Sequence, residues 1–132
     1  MSEFGVKPGL KGKAEITVKK EHLASSIESG LVDVLATPWM IALMEKAASN
    51  AVQGLLPKGF ITVGYRVDVT HLKPVPLGEK VEATARLVAV EGRRLVFRVE
   101  ARCRGEKIGE GQHERVVVNL NRFMEKILQS TS

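Results

Sequence analysis

Residues Val34–Leu55 read VLATPWMIALMEKAASNAVQGL, the one long apolar segment of the chain with helical character. Thr37 is placed to cap this helix through its hydroxyl. Pro38 suits the first helical position, where its missing N–H costs nothing. From Trp39 to Val52 there is no glycine or proline, and Ala, Leu, Met, Glu and Lys dominate. Gly54 and Pro57 end the helix. At about 100° per residue, Met40, Leu43, Met44, Ala47, Ala48, Ala51, Val52 and Leu55 cover more than half of its girth. Such a helix is mostly buried. Lys46, Ser49, Asn50 and Gln53 form the polar remainder. Glu45 sits at the seam beside Ile41 and Ala48. It reads either as a boundary residue with its tip in water or as a functional acid.

After Pro57 and Gly59 the hydrophobic period changes from helical to alternating. In Phe60–Leu72, FITVGYRVDVTHL, the alternation puts Ile61, Val63, Tyr65, Val67, Val69 and His71 on one face. Gly64, Arg66, Asp68 and Thr70 fall on the other. Glu79–Glu91 alternates with Val81, Ala83, Ala85, Leu87 and Ala89 inward. Leu95, Phe97, Val99, Ala101 and Cys103 give the next inward face, and Lys107–Asn119 is the last strand. Tight turns at Gly92 and Gly105 join these three strands as an antiparallel meander. Lys13–Lys19 is a further strand before the helix. Residues 20–33 form a long polar loop, the kind that serves as a lid or binding loop. Residues 1–12 hold three glycines, a proline and two lysines and read as a mobile arm. Asn119 or Asn121 can cap a short C-terminal helix carrying Phe123, Met124, Ile127 and Leu128, and the final QSTS should fray.

These elements define an α+β fold of one domain over residues 1–132. A curled antiparallel sheet wrapped around the apolar helix would bury it. Such a sheet leaves an edge and a helix flank open, which a second copy would cover.

Composition limits the function classes. The 132 residues are 44% hydrophobic and 27% charged, as in ordinary globular proteins. No run of about 18 apolar residues is present, and the N-terminus lacks a signal-peptide core; a cytoplasmic protein that does not span a membrane is expected. Net charge is +5, which permits a phosphorylated or otherwise anionic partner. Aromatics are only 5%, so the stacking surfaces of a nucleic-acid binder are poorly supplied. Cys103 is the only cysteine and reads as a small buried thiol. One Cys and three scattered His offer no recognisable metal-ligand spacing.

The segments ATPWMIALMEKAA, VGYRVDVTHLKPVPLGEKV, VEGRRLVFRVEA and IGEGQHERVVVN together resemble the hotdog-fold thioesterases related to fluoroacetyl-CoA thioesterase. The resemblance spans roughly residues 30–125. It implies a hotdog fold and hydrolysis of a small acyl-CoA to free acid and coenzyme A; the open edge and helix flank point to a homodimer, and the choice between dimer and tetramer stays open. Coenzyme A is then part of the substrate, and no separate cofactor is implied. In that family a Thr before the helix, a Glu within it and a His on the next strand form the catalytic set. These map onto Thr37, Glu45 and His71. A strand glycine maps onto Gly64 as a substrate or oxyanion contact, and Arg115 maps onto a pocket arginine. The fluoroacetyl-specific enzyme carries aromatic lid residues before the helix. Here that segment, SSIESGLVDV, has none, so the resemblance implies acyl-CoA hydrolysis and leaves the acyl group open.

Other readings stand beside these. His71 alone would read as a core histidine, Gly64 as a bulge, and Arg115 as a partner for Glu114 or another acid. His22 and His113 read as structural. Arg93 and Arg94, at a hairpin tip, fit either the phosphates of coenzyme A or a solvated turn. A hotdog hydratase, or a non-catalytic acyl-CoA binder or ligand sensor, is the alternative function. Glu45 lies eight positions after Thr37, about 12 Å along a helix axis. The two cannot touch within one chain, so a shared site must draw on two subunits.

Overall fold

The computed structural model describes residues 4–130. The sheet has five antiparallel strands: β1 (Lys11–Thr17), β2 (Phe60–His71), β3 (Lys80–Glu91), β4 (Arg94–Cys103) and β5 (Glu106–Asn119). Their order is β1-β3-β4-β5-β2. The central helix α1 (Thr37–Val52) joins β1 to β2, the two edge strands, so the chain must cross beneath the whole sheet. The helix α2 (Leu120–Ser130) follows β5. This is the hotdog arrangement, a sheet curled around one helix.

Helix α1 buries the face expected of it: Met40, Leu43, Met44, Ala47, Ala48, Ala51 and Val52 are all in the core. It packs chiefly on β1 and β3. The close approach to β1 depends on small residues. A Cβ on Gly12 would fall inside the backbone of Ala47 and Ala51, so only glycine fits there. With the helix drawn toward β1 and β3, its other flank lies open beside β2. There Ala42 is exposed and Glu45 only partly covered.

Several expectations are corrected. Thr37 does not cap α1: Ala36 holds the cap position, no side chain caps the helix, and Thr37 is its first residue. Leu55 lies beyond the helix in a 3-10 turn and is exposed. Residues 4–12 do not hang as an arm. Phe4 and Val6 are buried in the core, and the Phe4 ring meets that of Phe60 with centroids 5.4 Å apart. Burying apolar side chains outweighs the local glycine content. Residues 20–33 hold two 3-10 turns. Asn119 accepts the Arg122 N–H at 3.1 Å and so caps α2. Of the QSTS tail, residues 131–132 lie outside the described residues.

The strands carry bulges that no local alternation announces. In β2, Gly64 pairs with Arg115 and Arg66 with Glu114, leaving Tyr65 as the extra residue. One inserted residue moves every following side chain to the opposite face. The concave face of β2 is therefore Thr62 and Gly64 before the bulge, and Val67, Val69 and His71 after it. The simple alternation had put Gly64 and His71 on opposite faces. A second bulge at Val88 turns Val90, not Ala89, toward the core beside Leu95. Among the described residues no helix is long and apolar enough to cross a membrane.

Candidate active site

Two polar pairs lie on the concave face, one near each end of the β2 segment that follows Gly64. At the far end, the Thr37 hydroxyl and Nδ1 of His71 are 2.8 Å apart. The start of α1 supplies the threonine and the end of β2 the histidine. Both line a cleft of about 290 Å³. Val32, Val34, Leu35, Leu72 and Lys73 contribute to its wall. Burial lowers the His71 pKa, against a smaller opposing effect of the Lys73 backbone, and so favours the neutral ring. Its Nε2 is buried without a hydrogen-bond partner among the described residues.

The loop that rims this cleft is tied to the helix. Nδ1 of His22 accepts the Lys19 N–H at 2.9 Å. The His22 ring meets the Trp39 ring nearly edge-on, with centroids 4.5 Å apart. Trp39 in turn donates its indole N–H to the Glu21 carbonyl at 3.1 Å. His22 thus has the structural role expected of it, with partners that the sequence did not name.

At the other pair, Glu45 projects from α1 toward Gly64. A Cβ on Gly64 would lie 2.8 Å from Oε2 of Glu45 and 3.8 Å from Nη1 of Arg115. The missing side chain is what admits the carboxylate to the strand backbone. Arg115 Nη1 stands 3.6 Å from Oε2 of Glu45, and the arginine side chain is only 10% exposed against 39% for the glutamate. The guanidinium is held from behind. It donates through Nε to Oγ1 of Thr62 at 2.8 Å and through Nη2 to the Thr62 carbonyl at 3.0 Å. Nη1 reaches Nε2 of His113 at 3.1 Å. Burial lowers the Arg115 pKa, and Glu45 opposes that shift. A buried guanidinium still carries its charge, and the acid it faces is Glu45.

Sequence reasoning missed Thr62 and His113. A signal for His113 was present: it shares strand parity with Arg115 and with the buried Val117. Thr62 was hidden, because the bulge reverses the parity of β2 at that point. Arg115 does not neutralise Glu114, which points to the convex face between Arg66 and Arg94, 3.5 Å from each.

Arg93 and Arg94 join neither pair. Arg93 lies over the Phe4 ring, 5.7 Å from its centroid. Arg94 is paired with Glu91 and Glu114. Val67 lies between the polar pairs on the concave face, opposite His113, yet it is 41% exposed. The helix leaves this strip uncovered.

Comparison with known proteins places the fold in a family. A family model described as fluoroacetyl-CoA-specific thioesterase matches residues 18–121. The chain is 42% identical over 99 residues to the fluoroacetyl-CoA thioesterase of Streptantibioticus cattleyicolor, covering 75% of this chain and 71% of that protein. A solved structure of a fluoroacetyl-CoA thioesterase superposes with a TM-score of 0.88 at 35% identity, over 97% of this chain and 99% of the other. A Thermus thermophilus protein of the thioesterase superfamily superposes with a TM-score of 0.88 at 29% identity, over 96% and 93% of the two chains. With its hotdog sheet, its central helix and matches across most of its length, the chain belongs to the fluoroacetyl-CoA-specific thioesterase family, a family of thioester hydrolases.

Proposed function

We propose that this acyl-CoA thioester hydrolase works through Glu45, His71 and Thr37 in a site shared by two copies of the chain. The observation that carries this reading is the division of the polar groups into two pairs that do not touch within one chain. Thr37 and Glu45 stand about 12 Å apart along α1, too far to act on one carbonyl carbon.

A symmetric dimer brings the pairs together. The 12-residue strand β2 is an open sheet edge; it presents Tyr65 and Val67 at 65% and 41% exposure, and Leu72 just beyond it is 46% exposed. An edge this long and apolar invites a partner. Two β2 strands related by a two-fold axis would set Glu45 of one copy toward the cleft of the other.

In that site the Glu45 carboxylate acts as general base on water or attacks the thioester carbonyl itself. Arg115 holds positive charge beside it, and the backbone at Gly64 lies open for the developing oxyanion. The neutral His71 exchanges a proton with the Thr37 hydroxyl or the departing thiolate, and Thr37 orients the ring. The thiolate of coenzyme A leaves readily, so no separate cofactor is needed. A small acyl group is in keeping with the fluoroacetyl-CoA substrate of the similar thioesterase. A cytoplasmic location accompanies a coenzyme A ester as substrate.

The test is complementation. Glu45→Ala and His71→Ala are each expected to lower thiol release from short-chain acyl-CoAs at least about a hundredfold. Co-refolded mixtures of the two should regain part of the activity, because each mixed dimer holds one intact site. Mixtures as inactive as their parents would refute a shared site.

A further inference from the structure

His113 is 1% exposed, and its hydrogen bonds define its protonation. Arginine can only donate, so the 3.1 Å contact from Arg115 Nη1 makes Nε2 of His113 an acceptor. The ring proton then sits on Nδ1, which donates to the Arg66 carbonyl at 2.8 Å. Arg66 is the residue just after the β2 bulge. One imidazole therefore ties the bulged backbone to the guanidinium that faces Glu45. Thr62 anchors the opposite side of that guanidinium.

We propose that His113 is a positioning residue for the hydrolysis: as a neutral acceptor it fixes the Arg115 guanidinium, and through it the Glu45 carboxylate, against Gly64. The inference rests on the role proposed above for Glu45. A ring protonated on both nitrogens would turn a donor toward Arg115 and release it. The charged groups that act on the ring are Arg115 from β5 and Glu45 from α1 on its own face and Glu114 on the convex face of β5, with the Arg66 carbonyl from β2 at Nδ1. Burial lowers the His113 pKa and Arg115 adds to the effect, against the opposing pull of the carbonyl and the two acids. The accepting form is thus the form present at neutral pH.

The test compares wild type, His113→Leu, His113→Gln and Glu45→Gln by thiol release, with ring ¹⁵N spectra of the intact wild-type protein. His113→Leu keeps the bulk and removes the acceptor. It should lower kcat about 10- to 100-fold, the scale of a misplaced catalytic group, with KM little changed. His113→Gln offers an amide oxygen that accepts from Arg115 and does not titrate. It should recover most of the loss and hold its activity to lower pH than wild type. The spectra should show the proton on Nδ1 and a bare Nε2. A wild-type kcat in His113→Leu, equal impairment of the two His113 variants, or a proton on Nε2 at neutral pH would each overturn the inference. An active Glu45→Gln would instead overturn the underlying reading of the site.

Discussion

Thr37 and His71 meet through one hydrogen bond at the mouth of a cleft, whereas Glu45 and Arg115 meet above a buried network that includes Thr62 and His113. Both pairs join α1 to β2 or its neighbour on the same concave face. The first has little behind it to fix its geometry, and among the described residues Nε2 of the ring has no hydrogen-bond partner. The second is preorganised: the guanidinium is held on two sides, and the carboxylate that it faces is the more exposed member. Charge that must be in place before the substrate arrives is built on a fixed frame. A group that only hands over a proton can wait for the substrate to complete its contacts.

Removing the frame should have the largest effect. Arg115→Met leaves Nε2 of His113 and Oγ1 of Thr62 without their partner. A loss of about 1–3 kcal/mol in stability is expected, with thiol release down about a hundredfold or more. Denaturant unfolding and steady-state kinetics on one preparation would measure both. Wild-type stability in this variant would mean that the network is not preorganised.

Gly64→Ala separates position from stability. The added methyl meets the flexible end of Glu45, so the carboxylate moves and the backbone does not. Activity should fall about 10- to 100-fold, while stability changes by less than about 0.5 kcal/mol. A large drop in melting temperature would show that the strand cannot yield there.

At the other pair, Thr37→Val removes one partly exposed hydrogen bond. The expected cost is about 3- to 10-fold in kcat, with stability unchanged within error. Loss comparable to that of Gly64→Ala would make Thr37 more than an orienting hydroxyl.

The smallest effect is that of pH on stability. Burial lowers the pKa of both His71 and His113 in the folded chain. The unfolded chain therefore binds more protons as the pH falls below the ordinary imidazole value of about 6.5. Stability is full above that value and is lost as pH falls toward the folded-state pKa values. The unfolding midpoint should drop with acid in wild type and drop less in His113→Gln. Equal slopes would place the acid sensitivity elsewhere.

How far the sequence could be read differs from element to element. The helix was legible because its buried residues recur at helical spacing through Val52. Strands β3, β4 and β5 were legible as strands because tight turns bound them, although the bulge at Val88 hid the inward turn of Val90. Phe4 and Val6 were not, because their burial depends on a surface formed by residues far away in the chain. The first half of β2 misled, because Tyr65 sits in an unbroken alternation that hides the bulge.

For the site, Thr37, Glu45, His71, Gly64 and Arg115 could be named from residues that resemble a family, and the spacing of Thr37 and Glu45 already forbade their contact in one chain. By itself the sequence determined the elements and their apolar faces, since periodicity and turn chemistry are local properties of the chain. Only the tertiary structure decided that Gly64 and His71 share the concave face, that Arg115 turns to Glu45 rather than Glu114, and that Thr62 and His113 stand behind it. Those outcomes depend on the register between β2 and β5, where one unpaired residue reverses a whole strand, and no local pattern records that.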